Sequence, residues 1–272
     1  SKTGKVTLQP GVRLHAVINL AGPSIADGRW SKSRKRDLLD SRERLTRALS
    51  MALANAEHRP AVYLSASAVG YYGASDERSI ADESTAPGSD FLAAIATSWE
   101  AATTSAVTAG IPTAALRFGV VLSTRGGVLG KMMLPFKLCL GGRLGSGTQR
   151  MSWIALPDVL GLIAALIAEP DQLAELADVS RAAGADAPLS LNLVAPEPVS
   201  NADFTRALGS ALARPTPFPL PGAIISLAFG EMGRTLLLGS SAVRSTRLER
   251  LRYALKYPDI DSALQHLVRT GE

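Results

Sequence analysis

Short apolar runs alternate with segments of helical period along most of this chain, and that alternation constrains its fold more than any other feature. "HAVINLAG" (15–22), "AVYLSAS" (61–67), "IPTAALRFGVVL" (111–122) and "LSLNLVAP" (189–196) are compact apolar runs bounded by Gly, Pro or polar turns, as buried parallel strands are. Between them, residues 31–57 predict a helix with Ser31 as N-cap and Leu38, Leu39, Arg42, Leu45, Leu49 and Leu53 along one side. A polar loop over 73–88 leads to a helix over 90–109. The Gly-rich loop 126–130 leads to a short helix over 131–139, then "GGRLGSGTQRMSWIAL" gives a turn and a strand. Residues 157–169 form a further helix with Pro157 in its first turn, and one more is capped by Ser200 or Asn201. Strands alternating with helices imply βαβ crossovers and an α/β fold with a parallel sheet covered on both faces.

The run "RPTPFPLPG" (214–222) is an extended connector into residues 223–272, where an apolar helix, a charged helix around 241–255 and a short helix after Pro258 are expected. This divides the chain into 1–196, with 125–150 on the substrate side, and a small substrate lobe, 197–272. The net charge of +5 raises nucleic acid as a partner. Its densest cationic stretch, Lys32 to Arg47, is interrupted by Asp37, Asp40 and Glu43 at helical spacing, which describes a solvated helix face. No aromatics interleave with it, so no nucleic-acid partner is expected.

The longest strongly apolar stretch, Val159–Ala168, is too short to span a bilayer, and no membrane partner is expected. Cys139, the single cysteine, suits a reducing, cytoplasmic setting and a small buried hydrophobe. His15, His58 and His266 are scattered, so no metal site is expected. The acidic pairs Asp76-Glu77 and Asp82-Glu83 fall in the polar loop and are taken as solvated charge.

A hydroxyl ending a strand with tyrosines close behind, "ASAVGYYG" (66–73), is the strongest candidate for chemistry. With "VINLAG" (17–22), "LRFGVVL" (116–122) and "GSGTQRMSWIALPDV" (145–159), it occurs in the order found in extended short-chain dehydrogenase/reductases. "AGPSIADGRWS", "SRERLT", "FLAAIATSWEAAT" and "PVSNADFTRALGSAL" sharpen the match. The chain resembles their epimerase-family subgroup, which includes bacterial sugar-epimerase-like proteins and the human family 39U. The resemblance implies a Rossmann-like doubly wound sheet and NADP or NAD as cofactor. It places Asn19, Ala21, Gly22, Ser65, Phe118, Gly119 and Val120 at the dinucleotide, and Ser67, with Tyr71 and Tyr72, at the reacting oxygen. Lys131, Arg150 and Trp153 fall on the substrate side, Arg150 as an anion clamp. Asp158 is taken as charge at a helix N-terminus. Helix 31–57 is the expected homodimer contact, by fold analogy.

Two departures qualify that chemistry. Active members carry Tyr-x-x-x-Lys on the helix after the serine strand, the lysine lowering the tyrosine pKa. Here the equivalent positions are Leu92 and Ala96 in one register, or Phe91 and Ile95 in the next. Tyr71 or Tyr72, with Lys131, would then supply the acid; a tyrosine of pKa near ~10 is an adequate donor and a poor base. The family's opening βαβ unit, with its pyrophosphate turn, is also not found before residue 15. The expectation is that such a unit precedes this sequence. The alternative is true loss, leaving an exposed strand edge. An NAD(P)-dependent oxidoreductase or nucleotide-sugar-epimerase-like enzyme on a small polar substrate is the leading expectation. A dinucleotide-binding sensor or scaffold is the rival.

Overall fold

The computed structural model describes residues 6–9, 11–74, 79–182, 187–251 and 253–272, so Asp76 and Glu77 lie outside the described residues. In chain order the elements begin with β1 (Ala16–Asn19), α1 (Lys32–Ala54) and β2 (Val62–Ala68), which runs into a 3-10 turn, Val69–Tyr72. Next come α2 (Phe91–Ala101), α3 (Thr104–Thr108), β3 (Thr113–Phe118), β4 (Val120–Leu122) and α4 (Gly127–Lys137). β5 (Arg150–Met151), β6 (Trp153–Ala155), α5 (Leu156–Ala168), α6 (Pro170–Ala182) and β7 (Leu189–Leu193) follow. The last elements are β8 (Val199–Ser200), α7 (Asn201–Ala211), α8 (Gly222–Leu236), α9 (Thr246–Arg250) and α10 (Ile260–Thr270).

The main sheet has four parallel strands in the order β1-β2-β3-β7. Side chains alternate between its faces. Val62 and Leu64 of β2, with Ala114 and Leu116 of β3, face α5, α6 and α9 in a core built on Leu162, Leu166, Leu173 and Leu248. Tyr63 leaves the other face to meet Leu53, Ala106 and Ile111. Truncating any one of these buried leucines to Ala would cost about 2–5 kcal/mol, the lost transfer energy plus the cavity.

Three differences from the sequence expectation have visible causes. The single strand expected over 111–122 breaks at Gly119, because the chain there leaves one sheet for another: Gly119 N–H bonds the Leu193 carbonyl, and Val120 N–H the Ser152 carbonyl. A Cβ on Gly119 would stand 2.9 Å from the Ser152 oxygen, so only glycine passes. The helix expected over 90–109 breaks at Ala102–Thr103, where Ser50 of α1 inserts, donating to the Thr103 carbonyl and accepting from Ala106 N–H. The charged helix around 241–255 shortens to α9, capped by the Ser245 hydroxyl. α6 was not anticipated.

The side of α1 that packs inward holds Leu38, Arg42, Thr46, Ser50 and Leu53, so polar residues take places the periodicity assigned to leucine. Each is used. Thr46 accepts from Asn19 and from the Trp99 indole, and the Arg42 guanidinium lies 5.0 Å from the Trp99 ring centroid. A second core joins Leu122, Leu129, Phe136 and Trp153 to Phe204 of α7 and to Leu264 and Leu267 of α10. Asp158 ties the C-terminal segment to it: fully buried, it accepts from the backbone N–H of Lys256 (2.6 Å) and of Tyr257 (3.1 Å). The charge at the first turn of α5 is therefore a tether. Cys139 is only half-buried and sits at the end of α4 with φ 58°, so it is not the buried hydrophobe expected.

Candidate active site

Ser67, Arg117 and Asn192 are register partners across β2, β3 and β7, so their side chains leave the sheet on one face, in one row. α2 covers that row and lowers Glu100 into it. The Glu100 carboxylate accepts from Arg117 Nε (2.7 Å) and Nη2 (2.8 Å), and from the Ser67 hydroxyl (2.6 Å). Arg117 Nη1 donates to the Tyr72 hydroxyl (2.8 Å), which donates on to Asn192 Oδ1 (2.8 Å). The Asn192 amide ends on the Arg244 carbonyl. From the loop, Glu83 accepts from the Ser245 hydroxyl, the Asn192 backbone N–H, and the N–H and hydroxyl of Thr246. Glu83 is thus buried and bracketed, not solvated loop charge.

Burial sets the electrostatics of this layer. It opposes the Arg117 charge, but the hydrogen-bonded Glu100 carboxylate outweighs it and moves the guanidinium pKa upward. Burial pushes the Tyr72 phenol up, partly offset by Arg117. A buried Arg–carboxylate pair with each guanidinium nitrogen bonded fixes geometry, since breaking either member leaves an uncompensated charge.

The turn Val69–Tyr72 sends its two tyrosines in different directions. Tyr72 points in, its hydroxyl held between Arg117 and Asn192. Ser67 is buried too, and its hydroxyl donates to Glu100. Tyr71 stays half-exposed, its ring over the Arg117 guanidinium at 3.4 Å from the centroid and edge-on to Tyr72 at 5.3 Å. Such a cation–π contact contributes about 0.5–2 kcal/mol and fixes the ring. Gly70 lies against α2, where its Cβ would stand 3.1 Å from Leu92 Cβ. Phe91 packs edge-on to Trp30, and Ile95 enters the same cluster. Leu92 is thus the α2 residue beside Gly70 of the tyrosine turn.

The residues expected at the dinucleotide fall at the carboxyl ends of β1, β2 and β3. Asn19 is buried, its amide nitrogen on Thr46 and its oxygen on the Ala21 N–H, and so shapes the strand end. Gly22 is small because Arg42 stands 3.1 Å from where a Cβ would be, and Gly119 because of Ser152. The close approach at both glycines is internal. Ser65 is buried, facing the α1 side like Tyr63. Ala21, Ala68, Tyr71, Phe118 and Val120 are half-exposed there.

The substrate-side residues do not converge. Trp153 is 1% exposed, inside the second core, with its indole N–H on the Glu197 carbonyl. Lys131 is exposed and pairs with Asp27 at 3.0 Å, clipping loop 23–30 to α4. That hydrogen bond holds the Asp27 carboxyl below its usual range, helped by Ser24. Arg150, half-buried on β5, has no acidic partner among the described residues. Glu100, Arg117, Asn192 and Glu83 were not assigned from sequence. The available signal was an arginine and an asparagine inside apolar strands, "TAALRF" and "LSLNL", which a buried sheet tolerates only when they are paired.

Comparison with known proteins agrees with this architecture. Residues 7–179 match the model of the NAD dependent epimerase/dehydratase family, and residues 220–267 match a domain of unknown function, DUF1731. An epimerase family protein of Mycobacterium tuberculosis is 42% identical over 250 residues, 92% of this chain and 77% of that protein. The crystal structure of the human epimerase family protein SDR39U1 (isoform 2) with NADPH superposes with a TM-score of 0.83 at 30% identity, covering 98% of this chain and 85% of that one. A nucleoside-diphosphate sugar epimerase from Corynebacterium glutamicum superposes with a TM-score of 0.66 at 32% identity, over 93% of this chain and 46% of that one.

Proposed function

Because the chain belongs to the NAD dependent epimerase/dehydratase family, we propose that it is an NADP(H)- or NAD(H)-dependent oxidoreductase or nucleotide-sugar-epimerase-like enzyme acting on a small polar substrate. NADPH is the favoured form, as it is the dinucleotide solved with the human relative. The observation that carries the reading is Tyr71, a half-exposed phenol held on a buried guanidinium at the carboxyl ends of the strands, where ligands of open α/β sheets bind.

The residues present fit the nicotinamide half of such a cofactor. Ala21, Ala68, Phe118 and Val120, at or just beyond the strand ends, are half-exposed small or apolar side chains without charge, of the kind a flat ring packs on. When bound there, the nicotinamide supplies or accepts hydride at the substrate carbon. Tyr71 donates a hydrogen bond to the substrate oxygen, and Arg117 behind its ring stabilises negative charge that develops there. Glu100, Ser67 and Tyr72 position Arg117 and touch no substrate. Arg150, without an acidic partner among the described residues, is the anchor for an anionic group.

Fluorescence titration of the full protein with NADPH and NADH tests cofactor binding; saturation by neither refutes the proposal. Hydride transfer is then compared in wild type and Tyr71→Phe, where a loss of roughly 10²–10⁴-fold is expected of a proton donor. A second reading, a dinucleotide-binding sensor with little turnover, is favoured by Leu92 and Ala96, which put no tyrosine or lysine on α2. Binding without turnover on any carbonyl or sugar-nucleotide substrate decides for it. A homodimer through α1 is part of the proposal, and light scattering with Arg36→Glu and Arg44→Glu on its exposed side tests it.

A further inference from the structure

Large apolar side chains that stay exposed are concentrated at one end of the molecule. Leu134, Leu138 and Leu140 at the close of α4, Phe218 in the proline-rich run and Leu227 on α8 are 58 to 80% exposed. The backbone joins them into one tip. Phe218 N–H bonds the Gly141 carbonyl, Leu220 N–H the Arg143 carbonyl, and the Arg214 guanidinium the Lys137 carbonyl. Gly142 leaves no room for a Cβ beside the Phe218 carbonyl, so the two segments are pressed together there. α8 starts beside the same loop, with Gly222 against Gly145. Pro215, Pro217, Pro219 and Pro221 stiffen the run that carries Phe218.

The close of α4, the loop after it and the proline-rich run carry charge of one sign; the nearest carboxylates, Asp27 and Glu231, are paired with Lys131 and Lys35. No Asp or Glu occurs from residue 126 to 149, nor from 204 to 230. Lys137, Arg143 and Arg214 are exposed, and among the described residues none of them has an acidic partner. Asp203, on the neighbouring α7, is held by Arg206.

We propose that this tip docks on an anionic lipid surface, inserting Leu134, Leu138 and Phe218 among the headgroups while Lys137, Arg143 and Arg214 meet lipid phosphate. Two observations select that occupant. A second copy placed on the tip by a two-fold axis would bring cations against cations. A groove for a partner helix lines itself with half-buried side chains, whereas these stand out well beyond that, as residues entering a soft phase do. No helix among the described residues is long and apolar enough to cross a membrane, so the contact is peripheral. The proposal departs from the sequence expectation of no membrane partner, which rested on the shortness of the apolar stretches.

Flotation of the full protein with phosphatidylcholine vesicles, with and without phosphatidylglycerol, tests this. Binding is expected only to the anionic vesicles and should weaken with salt. Removing each cation should weaken it about fivefold, so Lys137→Gln/Arg143→Gln/Arg214→Gln together should lose on the order of a hundredfold. Leu138→Asp/Phe218→Asp should abolish binding with thermal unfolding unchanged, whereas Leu160→Asp, equally exposed on α5, should leave it intact. Wild-type protein that ignores anionic vesicles overturns the proposal. So does binding that survives both sets of tip substitutions. A concentration-dependent dimer dissolved by Leu138→Asp/Phe218→Asp, without vesicle binding, assigns the tip to a second copy and also overturns it.

Discussion

Replacing Glu100 by Gln keeps the shape of the side chain and removes the one charge that balances Arg117. In the native layer the carboxylate accepts three hydrogen bonds, two from the guanidinium and one from Ser67. Glutamine offers a single oxygen, which retains one or two of them. Its NH2 then faces Arg117 Nη2, two donors without an acceptor between them. At least one charge-assisted bond is lost, worth roughly 1.5–3 kcal/mol. The guanidinium is left 4% exposed with no counter-ion, and breaking a buried pair in this way costs about 3–5 kcal/mol in all. That is a large share of a domain stability of about 5–15 kcal/mol. Urea unfolding followed by tryptophan fluorescence should show a lower midpoint at similar slope. Arg117→Met should be as damaging, because it strands Glu100. The double variant Glu100→Gln/Arg117→Met, with no charge left to bury, should be more stable than the sum of the single losses by at least about 1 kcal/mol. Single variants that lose under about 1 kcal/mol, or strictly additive losses, would refute the view that this pair is a closed electrostatic unit.

Other perturbations separate structural from chemical roles. Asp158→Ala leaves the amides of Lys256 and Tyr257 buried without an acceptor, costing about 1–3 kcal/mol for each, and limited proteolysis should then reach the segment after residue 253 first. Trp153→Phe should destabilise by about 1–2 kcal/mol through lost volume and the lost bond to Glu197, with KM unmoved; a change in KM alone would restore it to the substrate side. Tyr71→Phe should leave unfolding within about 0.5 kcal/mol of wild type, so that any loss of turnover is chemical. Asp259 caps α10, and the backbone N–H and hydroxyl of Ser262 hold its carboxyl below the ordinary value of 3.8. Its contribution is therefore present above pH 3.8 and lost as the pH falls below it, and Asp259→Ala should flatten that part of the acid-unfolding curve.

The strand runs, the N-cap at Ser31, the start of α2 near Asp90, the cap of α7 to within Ser200 or Asn201, and the order of the family motifs were legible because each depends on neighbours in the chain. Periodicity failed where a distant group competed. The break after α2 depends on Ser50, and the end of β3 on a carbonyl in the β5–β6 segment. The site was legible as a place but not as a set of roles. Ser67 and Tyr72 carry hydroxyls at the expected strand end and turn, yet Glu100, 33 residues beyond Ser67, and Asn192, 120 beyond Tyr72, take them for the interior.

Local pattern thus determined that this chain forms a parallel α/β sheet, because burying alternating apolar runs admits few other solutions. Which hydroxyl remains free to meet a ligand was decided only when β2, β3 and β7 came into register. A buried polar group takes whatever partner the fold brings nearest, and the partners of Ser67 and Tyr72 lie on other elements. Of the three hydroxyl residues the sequence offered, Tyr71 is the one the fold leaves half-exposed.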